Sequence, residues 1–218
     1  MPIRSSRKSE TYFDFFAASG NEASAKDYDP PLVTGYGTRG LSGGGSDPSY
    51  SNVIAYITIA NTGNASDFGD LTVARNALGA CGGSGRGAFA GGWNGSRRDE
   101  IDYVTVENTG NASDFGDLSV ERSPSQAAFG NGTRGVWAGG HGVPGPGDST
   151  TDIIDYVTLA NTGNATDFGD LTLARTSGGS VASTTRGVVF GGTNQTAPGP
   201  RYNTIDYVTI DNAGNATD

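Results

Sequence analysis

The phrase NTGNASDFGDL at residues 61–71 is written again without change at 108–118, with one change at 161–171, and a fourth copy opens at 212 as NAGNATD. The distance from the tyrosine before the phrase to the arginine after it is also fixed. Nineteen positions separate Tyr56 from Arg75, Tyr103 from Arg122 and Tyr156 from Arg175. A chain that repeats at fixed length builds the same supersecondary unit several times, and such units bury their apolar faces by stacking on one another. The repeated phrase either carries chemistry or does the same structural job in each copy.

The units read as strands. Each has an arginine-glycine pair running into a double glycine, as in GRGAFAGG from Gly85, TRGVWAGG from Thr133 and TRGVVFGG from Thr185, with TRGLSGGG from Thr38 as the first. Each then has an Ile-x-Tyr run: IAYITIA from Ile54, IDYVTVE from Ile101, IDYVTLA from Ile154 and IDYVTID from Ile205. These runs alternate with period two and are rich in β-branched and aromatic residues. The RGVWAGG type is a short apolar run closed by glycines, as expected of a strand buried on both faces. NTGN and DFGD supply the Asn, Gly and Asp of turns. A third strand over 68–73 and a fourth over 78–82 complete the expected four-stranded antiparallel unit.

Composition agrees. The 36 glycines recur at fixed offsets beside strand-forming runs, which marks turns in a folded repeat rather than a disordered chain. A formal charge of −9 argues against a nucleic-acid footprint. Cys81 has no second thiol in the chain, so neither an internal disulfide nor a thiolate zinc site can form, and it reads as a small core side chain. No stretch approaches the ~18 apolar residues of a membrane-spanning helix, and the basic first eight residues lack the apolar segment of a secretory signal.

The unit resembles a kelch-type β-propeller blade, whose period is about fifty residues. The resemblance rests on the double glycines Gly91-Gly92, Gly139-Gly140 and Gly191-Gly192, on the tyrosine of the next strand, and on Ala74-Arg75 and Ala174-Arg175 after the last one. Phe68, Phe115 and Phe168 stand where kelch units carry a tryptophan. It implies an all-β, kelch-like propeller of about four four-stranded blades. Residues 1–32 form an N-terminal arm, and residues 33–218 form the repeat domain, with units near 33–75, 76–122, 123–175 and 176–218.

The wording also resembles repeats in virion structural proteins of marine tailed phages, cyanophages among them. That resemblance implies a non-enzymatic virion component, exposed on the particle or associated with the tail or its fibres. Its partners would be neighbouring virion proteins or a host-surface glycan or protein, with oligomerisation compatible and no cofactor or metal. Two other classes stay open: a cellular kelch-type interaction module, and a carbohydrate-active or oxidase-type propeller enzyme. The enzyme would need a unique His, Tyr, Cys or acid cluster at the propeller centre, and a single His and a single Cys count against it.

Length floats only between the double glycine and the next Ile-x-Tyr. Insertions of this kind map to loops on one face of a repeat protein, often the binding face. These segments hold the candidate binding residues Tyr50, Trp93, Arg97, Arg98, His141, Arg201 and Tyr202. His141, in a Gly/Pro-rich stretch, is expected at the surface.

Other motifs carry less. DFG occurs three times without a kinase catalytic loop or strand lysine. GYGTRG at 35–40 has dinucleotide-site spacing, but no helix follows it. The Asn-Ala-Ser/Thr triplets at Asn64, Asn111, Asn164 and Asn215 fit turn chemistry, and the oxygen-rich phrase lacks the acid spacing of a calcium loop. Asp67, Asp70 and their counterparts recur in every unit, which suits turn acceptors or partners for Arg39, Arg86, Arg134 and Arg186 better than one asymmetric active site. A worn copy of the phrase at 13–29, FDFFAASGNEASAKDYD, would let the arm close the ring by adding a strand to the last unit. A piece of a longer gene product, an open arc completed by another chain and a non-propeller stack of hairpin units stay equally open.

Overall fold

The protein is described by a computed structural model covering residues 38–46, 48–124, 127–142, 149–194 and 200–218. The N-terminal arm and its proposed closing strand lie outside the described residues. Every regular element in them is a β-strand, and the strands form four antiparallel sheets. The first contains β1 (Arg39–Gly43), β2 (Val53–Thr58) and β3 (Ser66–Asp70). The second contains β4 (Gly79–Gly83), β5 (Arg86–Trp93), β6 (Arg97–Thr105) and β7 (Ser113–Asp117) in sequence order. The third repeats it with β8 (Ala128–Gly130), β9 (Arg134–His141), β10 (Thr150–Thr158) and β11 (Thr166–Asp170). The fourth has β12 (Gly179–Ala182), β13 (Arg186–Phe190) and β14 (Ile205–Thr209).

Two expectations are corrected. The strand expected over 68–73 is Ser66–Asp70: the Leu71 N–H still donates to the Asn52 carbonyl, but the chain bends at 72–73. The strand expected over 78–82 does not close the unit before it. Gly79–Gly83 pairs with Arg86–Trp93 and so opens the next sheet. The connection is a two-residue turn with Ser84 at φ 51° and Gly85 at φ 74°, the positive angles of a tight hairpin whose twist matches its strands.

Three apolar cores alternate with the four sheets. Ile54, Phe68 and Leu71 of the first sheet meet Phe89 and Val104 of the second. Ala88, Ala90, Ile101 and Phe115 meet Trp137, Val157 and Leu159 of the third. Val136, Ala138, Ile154 and Phe168 meet Val189, Val208 and Ile210 of the fourth. Each middle sheet thus has a backward face on its predecessor and a forward face on its successor, which is why the RGAFAGG and RGVWAGG strands are apolar throughout.

The DFGD segment forms a β-bulge. Ile101 pairs with Gly116 and Asp102 with Asp114, leaving Phe115 as the extra residue. Phe115 turns into the core and meets Tyr103 edge-on at 5.7 Å, as Phe68 meets Tyr56 and Phe168 meets Tyr156. Asp114 Oδ1 accepts a hydrogen bond from the Gly116 N–H, and Asp167 Oδ1 accepts one from Gly169 N–H, so these acids are turn acceptors. The phenylalanine of the phrase is thus the bulge residue, and its ring lies edge-on to a tyrosine whose face carries an arginine.

Candidate interaction surface

The repeated phrase is a clasp between units. The turn of one unit lays its backbone along the DFGD edge of the unit before it. Gly110 N–H donates to the Phe68 carbonyl and Ala112 N–H to the Asp70 carbonyl, each at 2.7 Å, and the next pair of units repeats both bonds. The sequon asparagines complete the clasp. Asn111 Oδ1 accepts from Asp70 N–H, Asn164 Oδ1 from Asp117 N–H and Asn215 Oδ1 from Asp170 N–H, at 3.1–3.2 Å. Without it, each DFGD strand would be an open sheet edge with unpaired backbone groups.

A second device lies inside. Arg75, Arg122 and Arg175 each reach from the end of one unit to the aspartate of the next Ile-Asp-Tyr run. Arg75 pairs with Asp102 at 3.0 Å, Arg122 with Asp155 at 2.5 Å and Arg175 with Asp206 at 2.9 Å, all with side chains at most 1% exposed. Burial pushes the Arg75 pKa down, and the neighbouring Asp102 carboxylate opposes that shift. Arg75 Nε also donates to the Gly91 carbonyl and Arg122 Nε to Gly139, so the double glycine is read by the guanidinium of the preceding unit. Within each unit, the N–H groups of Gly45, Gly92 and Gly140 donate to the carbonyls of that unit's own Arg75, Arg122 and Arg175.

The other arginine set departs from expectation. Arg39, Arg86, Arg134 and Arg186 stack over Tyr56, Tyr103, Tyr156 and Tyr207 at 4.3–4.6 Å rather than meeting Asp67, Asp70 or their counterparts. On the tyrosine face the cation gains from the ring's negative surface. Three of them also donate across to the next unit, to the carbonyls of Val106, Leu159 and Ile210.

At the strand ends away from the clasp lie the candidate binding residues. The segments that hold them are partly strand. Trp93 pairs with Arg97 and Gly92 with Arg98 in the β5–β6 hairpin, His141 pairs with Thr150, and Tyr50 and Arg201 make single bridges to Ser46 and Thr193. The structure brings three of the seven together. The Arg97 guanidinium lies 5.3 Å from the Trp93 ring centroid and its Nη2 is 2.9 Å from His141 Nδ1. A guanidinium can only donate, so Nδ1 accepts and the proton of the neutral ring sits on Nε2. Gly142 leaves the room for this: a Cβ there would fall 2.0 Å from Arg97 Cδ.

His141 is therefore buried, 8% exposed, against the expectation of a surface ring, because Arg97 of the adjacent unit covers it. Arg98 pairs with Glu100 within its own strand. Tyr50 is exposed and Tyr202 is anchored through its N–H to the Gly192 carbonyl, and neither joins the Trp93 cluster. Residues 143–148 and 195–199 lie outside the described residues.

Cys81 packs against the second core, where burial pushes its thiol pKa up to about 12. A thiol held protonated in this way is a poor nucleophile. Among the described residues, no group of three or more His, Cys, Asp and Glu side chains is placed to hold a metal ion. The chain matches no protein-family model and no curated protein sequence.

Proposed function

We propose that this chain is a non-enzymatic structural module of a tailed-phage particle, built as an arc of kelch-like propeller blades that holds unlike hairpin ends out towards a host surface or a neighbouring virion protein. One contrast carries the reading. The residues that clasp neighbouring units are the same words in every copy, whereas the hairpin ends opposite them differ in every copy, with Trp93 and Arg97 in one unit, His141 in the next and Thr193 in the last. Sameness is spent on assembly and difference is left for contact. An aromatic face beside a guanidinium offers stacking and charged hydrogen bonding, the chemistry of glycan and acidic-surface recognition. Several such ends on one rigid array make weak contacts multivalent.

Peptide mass mapping and immunogold labelling of purified particles test the reading. Stoichiometric recovery with surface label is the expected result, and a chain found only in infected cells and never in particles overturns it. Glycan-array binding of the Trp93→Ala/Arg97→Ala variant against the unaltered chain separates adhesion from scaffolding.

A further inference from the structure

We propose that the turn of the second unit is a binding site for one neutral sugar ring of a glycan, on the clasp end of the array and away from the hairpin ends that carry Trp93 and His141. A dish of about 240 Å³ lies in this turn, far more than a single water needs, with Tyr103, Thr105, Asn108, Thr109, Asn111 and Ser113 in its wall. The second unit has a packed neighbour on either side.

The clasp accounts for only part of the repeated phrase. It uses the N–H groups of Gly110 and Ala112 and the Asn111 Oδ1, all turned towards the first unit. The hydroxyls of Thr105, Thr109 and Ser113, the Asn108 amide and the Asn111 Nδ2 make no hydrogen bond among the described residues, and all five residues are exposed. Yet these residue types return as Thr58, Asn61, Thr62 and Asn64 in the first unit and as Thr158, Asn161, Thr162 and Asn164 in the third. No backbone group of the turn takes up the Thr105 or Thr109 hydroxyl, so neither the clasp nor turn chemistry gives them a task.

The wall decides the class of ligand. It contains no charged side chain, so neither an anion nor a cation would find a counter-charge to offset the water it loses. An apolar ligand would strip water from five polar side chains and return no hydrogen bond. A polyhydroxylated ring suits the dish, because each of its hydroxyls donates and accepts, as do the three hydroxyls and the Asn108 amide around it. Tyr103 adds the one aromatic surface, and its ring is held by Arg86 at 4.5 Å over its face and by Phe115 edge-on at 5.7 Å. The backbone is held too. Gly110 and Ala112 are bonded to the first unit at 2.7 Å, and the Phe115 carbonyl accepts from the Gly163 N–H of the third, so binding has little left to order. The exposed rim leaves room outside the dish for the rest of the glycan. The site does not depend on the virion reading, and a copy of the same polar set in each of three units would make weak contacts multivalent.

Amide NMR of the isotope-labelled full chain tests the proposal. The probes are D-glucose, D-galactose and N-acetyl-D-glucosamine, each as the free sugar and as its methyl glycoside, which copies the linkage of a residue within a chain. At least one of the three is expected to shift the amides of 105–113 saturably, in both forms, with a Kd on the order of 1 mM. The charged relatives glucuronate and glucosamine are expected to bind no tighter. Asn108→Ala/Thr109→Val removes groups that the clasp does not use, so it should keep the parent's melting temperature and weaken binding by about tenfold or more. Trp93→Ala/Arg97→Ala should bind the sugar as the parent does, which separates this site from the hairpin ends. The proposal is overturned if no sugar moves these amides, if a charged relative binds tighter, if the free sugar binds and its glycoside does not, if Asn108→Ala/Thr109→Val keeps the parent's affinity, or if Trp93→Ala/Arg97→Ala loses it.

Discussion

Arg75 and Asp102 face each other at 3.0 Å with neither side chain exposed, and they belong to different repeat units. Each is held by further bonds. Arg75 donates to the Gly91 and Phe89 carbonyls, and Asp102 accepts from the Thr72 N–H and hydroxyl. The pair is a latch whose two halves arrive on consecutive sheets, so it forms only when the sheets stack in the correct register.

Removing one half leaves the other charge buried without a partner, which costs about 3–5 kcal/mol where it has been measured. Asp102→Ala is therefore expected to lower unfolding free energy by that amount in urea titrations. The double variant Arg75→Met/Asp102→Ala should recover much of the loss, because no charge is left behind. A single substitution costing less than about 1 kcal/mol, the range of an exposed pair, would show that the latch is not a structural element.

The middle latch has a defect that can be repaired. Thr72 and Thr172 hydroxyls donate to Asp102 Oδ1 and Asp206 Oδ1 at 2.6 Å, whereas the middle copy has Ser119, which reaches Asp155 only through its backbone N–H. Asp155 Oδ1 is consequently buried without a partner. Ser119→Thr restricts the side chain through its extra methyl and should supply the missing bond, raising stability by about 0.5–1.5 kcal/mol. Thr72→Ala should have the opposite sign. Equal unfolding midpoints for Ser119→Thr and the parent would mean that the hydroxyl does not reach the carboxylate.

The strands were legible where side chains announce them and illegible where they do not. IDYVT and RGVWAGG carry β-branched and aromatic residues, and both are strands as expected. GACGG has neither, so its strand was recognisable but its partner was not. The Ser-Gly dipeptide between it and Arg86 was the usable signal, since a two-residue turn commits a strand to the one that follows. The latch was hidden for a different reason. Nearby aspartates in DFGD drew the eye, while the true partner lies in the next unit, 27 positions beyond Arg75. Ala55 was the trace it left: the first unit lacks the aspartate, and residues 27–35 ahead of it contain no arginine. The Arg97–His141 contact joins two variable segments and follows no repeat, so only the fold could reveal it.

Asp117 carries a pH signature. Burial first, and then the Asp99 and Asp114 carboxylates, raise its pKa above the usual aspartate value. The folded state thus binds this proton more readily than the unfolded chain, and stability falls as pH rises from the unfolded pKa through the folded one. Above that window the full penalty is present. Asp117→Asn should therefore stabilise the protein at pH 7 by less than about 1 kcal/mol, given partial solvent screening, and the gain should vanish below the window. Thermal melts of both proteins across the acid range give the comparison, and a gain that persists undiminished at low pH would assign it to something other than the charge.

Gly116 tests the clasp itself. Its φ of +143° is one that residues with a side chain rarely adopt, and a Cβ would lie 2.5 Å from the Gly163 carbonyl of the next unit. Gly163, at φ +155°, has nothing within 4 Å of such an atom. Gly163→Ala therefore measures backbone strain alone, whereas Gly116→Ala adds a collision that pries the third unit's turn off the second unit's edge. Both should lose stability by more than about 1 kcal/mol, with Gly116→Ala the worse. In a stack where each unit touches only its neighbours, weakening one interface also divides the array into blocks that unfold separately. Gly116→Ala is thus expected to broaden or split the urea transition while Gly163→Ala merely shifts it. If the two variants unfold alike, the close approach of Gly116 to Gly163 contributes nothing to coupling between the units.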